Sequence, residues 1–252
     1  MPVSLEVGKY VSSGSITWKV LAVKDSTVLL LSKDILARLP YYVDYDENRR
    51  GYADSIIRSW LNKAFVNSLP YEFTKRIIPT KLEVTDHVDG FDYAKYGLEE
   101  EDSVEDRVFL LSEDEAKVLF LNDASRRAYL NLDYIRDAEP QSFAATSQDD
   151  RSYAESCNSW WLRTSNPDIH REVSSDGSIV DTDAPLIASS YQILDLDRSL
   201  YDKMEPDLAR SYLNMMATLL DIRGLKTAFT TALMGARGFI GVRPALWFDF
   251  EK

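Results

Sequence analysis

Cysteine is nearly missing from this chain. Cys157 is the sole one in 252 residues, so neither an internal disulfide nor a thiolate cluster for structural zinc can form. Histidine is almost as scarce: His87 and His170 are the only two and stand far apart in sequence. With so few, no Ser–His–Asp constellation can be nominated, and the Gly-x-Ser-x-Gly nucleophile motif is absent. No apolar run approaches the roughly 20 residues that cross a bilayer. The start, "MPVSLEVGKYV", has no basic patch followed by an apolar stretch, and the expectation is a soluble, cytoplasmic protein without a signal peptide. Positive charge is also in deficit. Against 41 acidic side chains stand 29 basic ones, a formal charge of -12, which repels phosphate backbones and anionic lipid. Nucleic acid and membrane are therefore not expected partners.

What is present supports one large domain, because 45% hydrophobic content over this length buries a substantial core. "ITWKVLAV" (16–23) and "TVLLLS" (27–32) are apolar and β-branched, and Asp25-Ser26 between them predicts a hairpin. In "DSIIRSWLNKAF" the positions Ile56, Ile57, Trp60, Leu61, Ala64 and Phe65 recur at helical spacing, with Asp54 or Ser55 as cap. "YEFTKRII" (71–78) reads as a second helical piece, stopped by Pro79. Residues 85–106 are crowded with carboxylates and read as an exposed loop. "RVFLLS" (107–112) reads as a strand, and Ser112 with Glu115 forms a capping box opening a helix with Ala116, Leu119 and Phe120 on one face. "WWLRT" and "EVSSDGSIV" read as strands, with Asp176-Gly177 suited to a type I′ turn. The last strand is "IGVRPALWF", where Pro244 implies an edge or a bulge.

Residues 185–240 differ from the rest. Leu208, Tyr212, Met215, Met216, Leu219 and Leu220 form the apolar stripe of an amphipathic helix, Gly224 is placed to end it, and a shorter helix follows over 225–234. Met suits adaptable contact surfaces. Packing on the parent domain is the default, and homo-oligomer contacts through the 205–234 helices are the alternative.

Several pieces occur in one order: "WKVLAV", "LLLSKDIL", "DSIIRSWLNKAF", "FTKRIIPTKL", "DRVFLLSEDEA", "YAESCNSWWLRT", "VSSDGSI" and "GVRPALWF". Together they resemble a bacterial domain family of unknown function, often found in gut-dwelling bacteria. That family looks like a branch of the C-type-lectin-like fold, akin to the variable proteins of diversity-generating retroelements and to formylglycine-generating enzymes. The resemblance implies an α+β fold over 1–252: a mixed or antiparallel sheet with paired terminal strands, two flanking helices and 185–240 as a helical insertion. It supplies no reaction, since that fold carries sugar binders, peptide binders and an oxidase alike. The oxidase relatives need a pair of active-site cysteines, and this chain has one.

The tryptophan strand carries the candidate site. Along a strand the faces alternate, so Trp160, Leu162 and Thr164 are expected on one face and Trp161, Arg163 and Ser165 on the other. Two readings compete. In the packing reading one indole fills the core, the other covers a loop, and Arg163 pairs with a carboxylate such as Asp176 or Asp181. In the binding reading Trp161 and Arg163 present a ring and a forked donor to a ligand, with Asp176 and Arg243 beside them. Trp18, Trp60 and Trp247 are expected in the core. A metal site from His170, Asp168 and Asp176 lacks any spaced ligand motif. No cofactor is expected. The leading expectation is a non-enzymatic recognition module for a protein, peptide or glycan, presented by loops around 85–106, 137–158 and 165–171. The alternatives are an enzyme of the same fold using Arg163, Asp176 and Arg243 around a polar pocket, and a phage-derived assembly protein.

Overall fold

Residues 16–32 form the first hairpin because two β-rich runs flank a single residue able to turn sharply. Asp25 adopts φ 53° between them, in the left-handed region that Asp tolerates better than most residues. In the computed structural model, which describes residues 5–39, 41, 51–83, 103–134, 157–165, 170–182 and 240–251, this hairpin is β2 (Ile16–Lys24) and β3 (Thr27–Ser32), preceded by β1 (Tyr10–Ser13). A short β4 (Ala37–Arg38) follows. The described chain is α+β with mostly antiparallel sheets and few helices.

Ser55 caps the next helix, its Oγ accepting from the Arg58 amide at 3.1 Å. The helix begins as α1 (Ile56–Trp60), widens to a π segment over Leu61–Phe65, and returns to α2 (Val66–Ser68). A wider turn upsets the carbonyl ladder, and Asn62 occupies that point. Its amide donates to the Arg58 carbonyl at 3.2 Å and the Val108 carbonyl at 2.9 Å. Its Oδ1 accepts from the Arg107 and Val108 amides.

That contact explains a departure from expectation. Residues 107–112 are not a regular strand. Their main chain is served by side chains, by one antiparallel bridge, Phe109 to Ala245, and by the Arg163 amide, which donates to the Leu111 carbonyl at 2.9 Å, so the segment is buried without a ladder. The helical piece predicted over 71–78 is likewise shorter: α3 covers Tyr71–Thr74, and Ile77–Ile78 form β5 instead. Tertiary pairing overrides the local pattern there, because the C-terminal strand takes these two isoleucines as its neighbour.

β6 (Thr80–Glu83) and β7 (Ser103–Asp106) make a separate two-stranded ladder, so the last four residues of the expected loop are strand. The predicted capping box is present: Ser112 Oγ accepts from the Glu115 amide, and Glu115 Oε2 accepts from the Ser112 amide, at the start of α4 (Glu113–Leu119). A second box, Asn122 with Ser125, opens α5 (Asp123–Arg126). β8 (Ala128–Tyr129) pairs with β9 (Cys157–Asn158).

β10 (Trp160–Ser165), β11 (His170–Val173) and β12 (Ile179–Asp181) form an antiparallel meander. Its β11–β12 turn is not type I′. Asp176 is not in the left-handed region; Gly177 alone is, at φ 94°, and its amide donates to the Ser174 carbonyl. This is a type I turn completed by a glycine bulge, the three-residue alternative.

The final segment divides at Arg243-Pro244 into β13 (Gly241–Val242) and β14 (Ala245–Asp249). β13 lies in the sheet ordered β12-β11-β10-β13-β4, and β14 in the sheet ordered β1-β2-β3-β14-β5. Each is interior to its sheet. Pro244 sits at the switch between them, where no ladder N–H is required, and its carbonyl accepts from the Ser32 amide at 2.8 Å. β14 shares a sheet with β2 but pairs directly with β3, Leu246 opposite Leu30. Trp18 is fully buried, while Trp60 and Trp247 pack partly buried against the core. The predicted 185–240 insertion lies, except for its last residue, outside the described residues.

β13 meets β10 in a parallel bridge, Trp160 to Gly241. A Cβ built at Gly241 would lie 2.7 Å from Ile35 Cγ2 and 2.8 Å from the Ser159 carbonyl oxygen. Gly241→Ala should therefore destabilise the fold by about 1–3 kcal/mol through overpacking, read as a lower urea midpoint at unchanged slope. An unchanged midpoint would contradict this close approach.

Candidate functional site

Trp160 and Trp161 are both fully buried, on opposite faces of β10. The Trp160 ring lies under Arg243, and its Nε1 donates to the Arg126 carbonyl at 3.0 Å. The Trp161 Nε1 donates to the Leu39 carbonyl at 2.9 Å, and its ring meets Tyr41 edge-on. Neither indole is a platform on the surface. Both indole donors are satisfied by main-chain oxygen, the usual requirement for a buried Trp.

Arg163 belongs to the Trp161 side and is itself buried. Its NH1 donates to the Leu110 carbonyl at 3.0 Å, and its Nε reaches the Glu83 carbonyl at 3.4 Å. The guanidinium forks onto Glu115, NH1 to Oε2 at 2.5 Å and NH2 to Oε1 at 3.2 Å. The carboxylate partner is thus Glu115 and neither Asp176 nor Asp181; Asp181 pairs with Arg171. Glu115 serves two masters, since the same carboxylate closes the capping box of α4.

A second forked pair stands near it. Arg58 Nε donates to both oxygens of Asp106 at 3.0 Å, and NH1 donates to the Ala53 carbonyl. Asp106 is almost wholly buried, which a carboxylate accepts only with a bidentate partner of this kind. Tyr52 lies fully buried among these charges. Burial pushes its hydroxyl well above the ordinary tyrosine range, Asp106 adds to this, and Arg163 and Arg58 oppose it. It remains a neutral phenol.

These residues stand where three stretches outside the described residues depart and return. Tyr41 and Gly51 bracket 42–50, Glu83 and Ser103 bracket 84–102, and Ser165 and His170 bracket 166–169. Tyr41 Oη donates to the Arg163 carbonyl at 3.5 Å and its ring meets His170 edge-on at 4.5 Å. Two ion pairs, two tyrosines and a histidine thus lie at or within a few residues of the ends of all three.

The remaining predicted site residues lie elsewhere. Arg243 is buried on the Trp160 side, donating to the Ser32, Lys33 and Arg126 carbonyls. Asp176 is exposed in the β11–β12 turn, where the Ser178 hydroxyl and amide hydrogen-bond its carboxylate and lower its pKa. Trp161 and Arg163 come together; Arg243 and Asp176 do not join them. A polar pocket of Arg163, Asp176 and Arg243 is therefore not what these positions make. Sequence reasoning missed Tyr52, Arg58, Asp106 and Glu115 as members of the network. The one signal for Glu115 was its capping-box spacing.

Among the described residues no three His, Cys, Asp or Glu side chains gather to hold a metal ion, and Asp168 and His87 lie outside them. No described helix is long and apolar enough to cross a membrane.

His170 is buried, and desolvation lowers its pKa to about 4 from 6.5. The folded state therefore prefers the neutral ring, and the unfolded chain binds the proton first. The resulting stabilisation is complete above pH 6.5, falls as pH drops, and is gone below about 4. A shift of this size amounts to roughly 3 kcal/mol across that window. Urea unfolding of wild type and His170→Gln between pH 7.5 and 4 checks it: the gap between their pH slopes should appear below pH 6.5, and parallel curves would contradict it.

Over residues 25–250 the chain matches the model of a family described as a domain of unknown function (DUF6273). No curated protein and no solved structure gives a significant match.

Proposed function

Because the chain belongs to the DUF6273 family of domains of unknown function, which prescribes no reaction, we propose its role from the loop-root network: a non-enzymatic recognition module for a protein, peptide or glycan. The observation that carries this reading is that 42–50, 84–102 and 166–169 all spring from one buried, ion-paired frame. Binding residues are commonly carried on loops set on a rigid scaffold, and preorganised roots lower the ordering cost of an encounter. Arg163, Trp161, Glu115 and the Arg58–Asp106 pair serve in this reading as the frame, and the ligand contacts come from the loops.

A C-type-lectin-like architecture agrees with this role. What supports it is the joining of N-terminal and C-terminal strands in one sheet, with β2, β3 and β14 side by side. The pairing runs through β3, so the likeness rests on sheet membership and not on direct contact between β2 and β14.

The test is a peptide and glycan array probed with the wild-type chain, alongside Trp161→Ala and the loop variant Tyr93→Ser/Tyr96→Ser, which removes both tyrosines of the 84–102 stretch. The loop variant should lose binding at an unchanged melting temperature. Trp161→Ala should cost about 3–5 kcal/mol of stability, as large-to-small changes in a packed core do. Binding that survives the loop variant would overturn the assignment of the ligand surface, and a Trp161→Ala chain of normal stability that fails to bind would return the site to the tryptophan.

A further inference from the structure

Asp176 and Gly177 are bonded neighbours with opposite settings. Asp176 is exposed in the β11–β12 turn, while Gly177 is buried. The Gly177 main chain rests on α5: a Cβ built there would overlap the Asp123 carbonyl, and the Gly177 carbonyl accepts from Arg126 Nε at 2.9 Å. Arg126 is itself buried and paired with Asp123. This end of the meander is therefore pinned to the helix through main-chain atoms.

An aspartate followed by glycine is chemically labile. The glycine has no Cβ to hinder attack by its nitrogen on the side-chain carboxyl carbon, and its backbone turns freely enough to bring the two together. Two contacts restrain the reactants here. Asp176 Oδ1 accepts from the Ser178 amide at 2.9 Å and from the Ser178 hydroxyl at 2.7 Å. These bonds fix the carboxylate and favour its charged form, withholding the neutral acid that can lose water. The Gly177 amide donates to the Ser174 carbonyl at 2.8 Å, which engages the attacking nitrogen.

We infer that Asp176 is a modification site controlled by folding: it isomerises to isoaspartate when the turn lifts from α5, and the isomerised turn cannot dock again. In the reaction the Gly177 nitrogen bonds to Asp176 Cγ, the amide proton and the carboxyl hydroxyl leave as water, and a five-membered imide closes. Water then adds at the former main-chain carbonyl of Asp176, its carbon–nitrogen bond breaks, and the chain runs on through Cγ. One water leaves and one returns, so the mass is unchanged. The main chain is longer by one methylene, and the α-carboxylate hangs from it as a side group. Against the Asp123 main chain Gly177 has no room for the added length, so its bond to Arg126 is lost with the docking.

The experiment holds the full chain at physiological temperature and neutral pH, in native buffer and in guanidinium. Isoaspartate at Asp176 is followed by mass spectrometry of the tryptic peptide 172–198, with electron-transfer fragmentation to distinguish the isomers. Conversion should be about tenfold or more slower in the folded chain, since the turn reacts only while open. Ser178→Ala removes the hydroxyl donor and should raise the folded rate about threefold or more. Chains isomerised in guanidinium and returned to native buffer should be the first removed by brief proteolysis in intermediate urea. Equal rates in the two states, or a folded rate that Ser178→Ala leaves unmoved, would overturn the control by folding. Isomerised chains as resistant as the rest would overturn the failure to redock.

Discussion

Two stretches of chain leave one sheet and enter another side by side, and a single buried guanidinium holds them where they do so. β3 leads to β4 and β13 leads to β14, each crossing between the two five-stranded sheets. At such a crossing the main chain parts from its ladder, and carbonyls are left in the interior, where an unpaired polar group is costly. Arg243 supplies the donors: Nε to Ser32, NH2 to Lys33, NH1 to Arg126. The Trp160 and Phe120 rings flank its charge. Because the Arg126 carbonyl also takes the Trp160 indole N–H, the same point ties α5 to both sheets.

Arg163 does similar work at the loop end. It, too, feeds main-chain oxygens of segments that lack a regular ladder, Leu110 and Glu83, while its fork on Glu115 connects β10 to the first turn of α4. The two arginines that stand out in the sequence are thus frame residues, one for the joint between sheets and one for the loop roots. Both are buried, so neither guanidinium presents a surface. The tryptophan strand between them is given to the core, with both indoles fully buried.

Local features were legible from residue order. The hairpin at Asp25, the Ser55 cap, the Ser112–Glu115 box and the strands around the tryptophan pair all follow from short-range chemistry, and all are present. Features that depend on distant partners were not. Nothing in "IGVRPALWF" marks where one sheet ends and another begins, because alternation continues through a switch; only Pro244 hinted at an interruption. The partner of Arg163 lies 48 residues away in sequence, and several carboxylates were nearer candidates. Asp-Gly at 176–177 fits two hairpin turns equally well, and the main-chain path at Ser174 decides between them. Ile77 and Ile78 were claimed by β14, against a helical local pattern.

The most direct measurement is urea unfolding of Arg243→Met, followed by far-ultraviolet circular dichroism for the sheets and by tryptophan fluorescence for the buried indoles. If the guanidinium holds the joint, both signals should shift together by about 3 kcal/mol or more, because the Ser32 and Lys33 carbonyls lose a charge-assisted donor and the Arg126 carbonyl keeps only the Trp160 indole. A variant with wild-type stability, or one in which the two signals part into separate transitions of which only one has moved, would contradict the account.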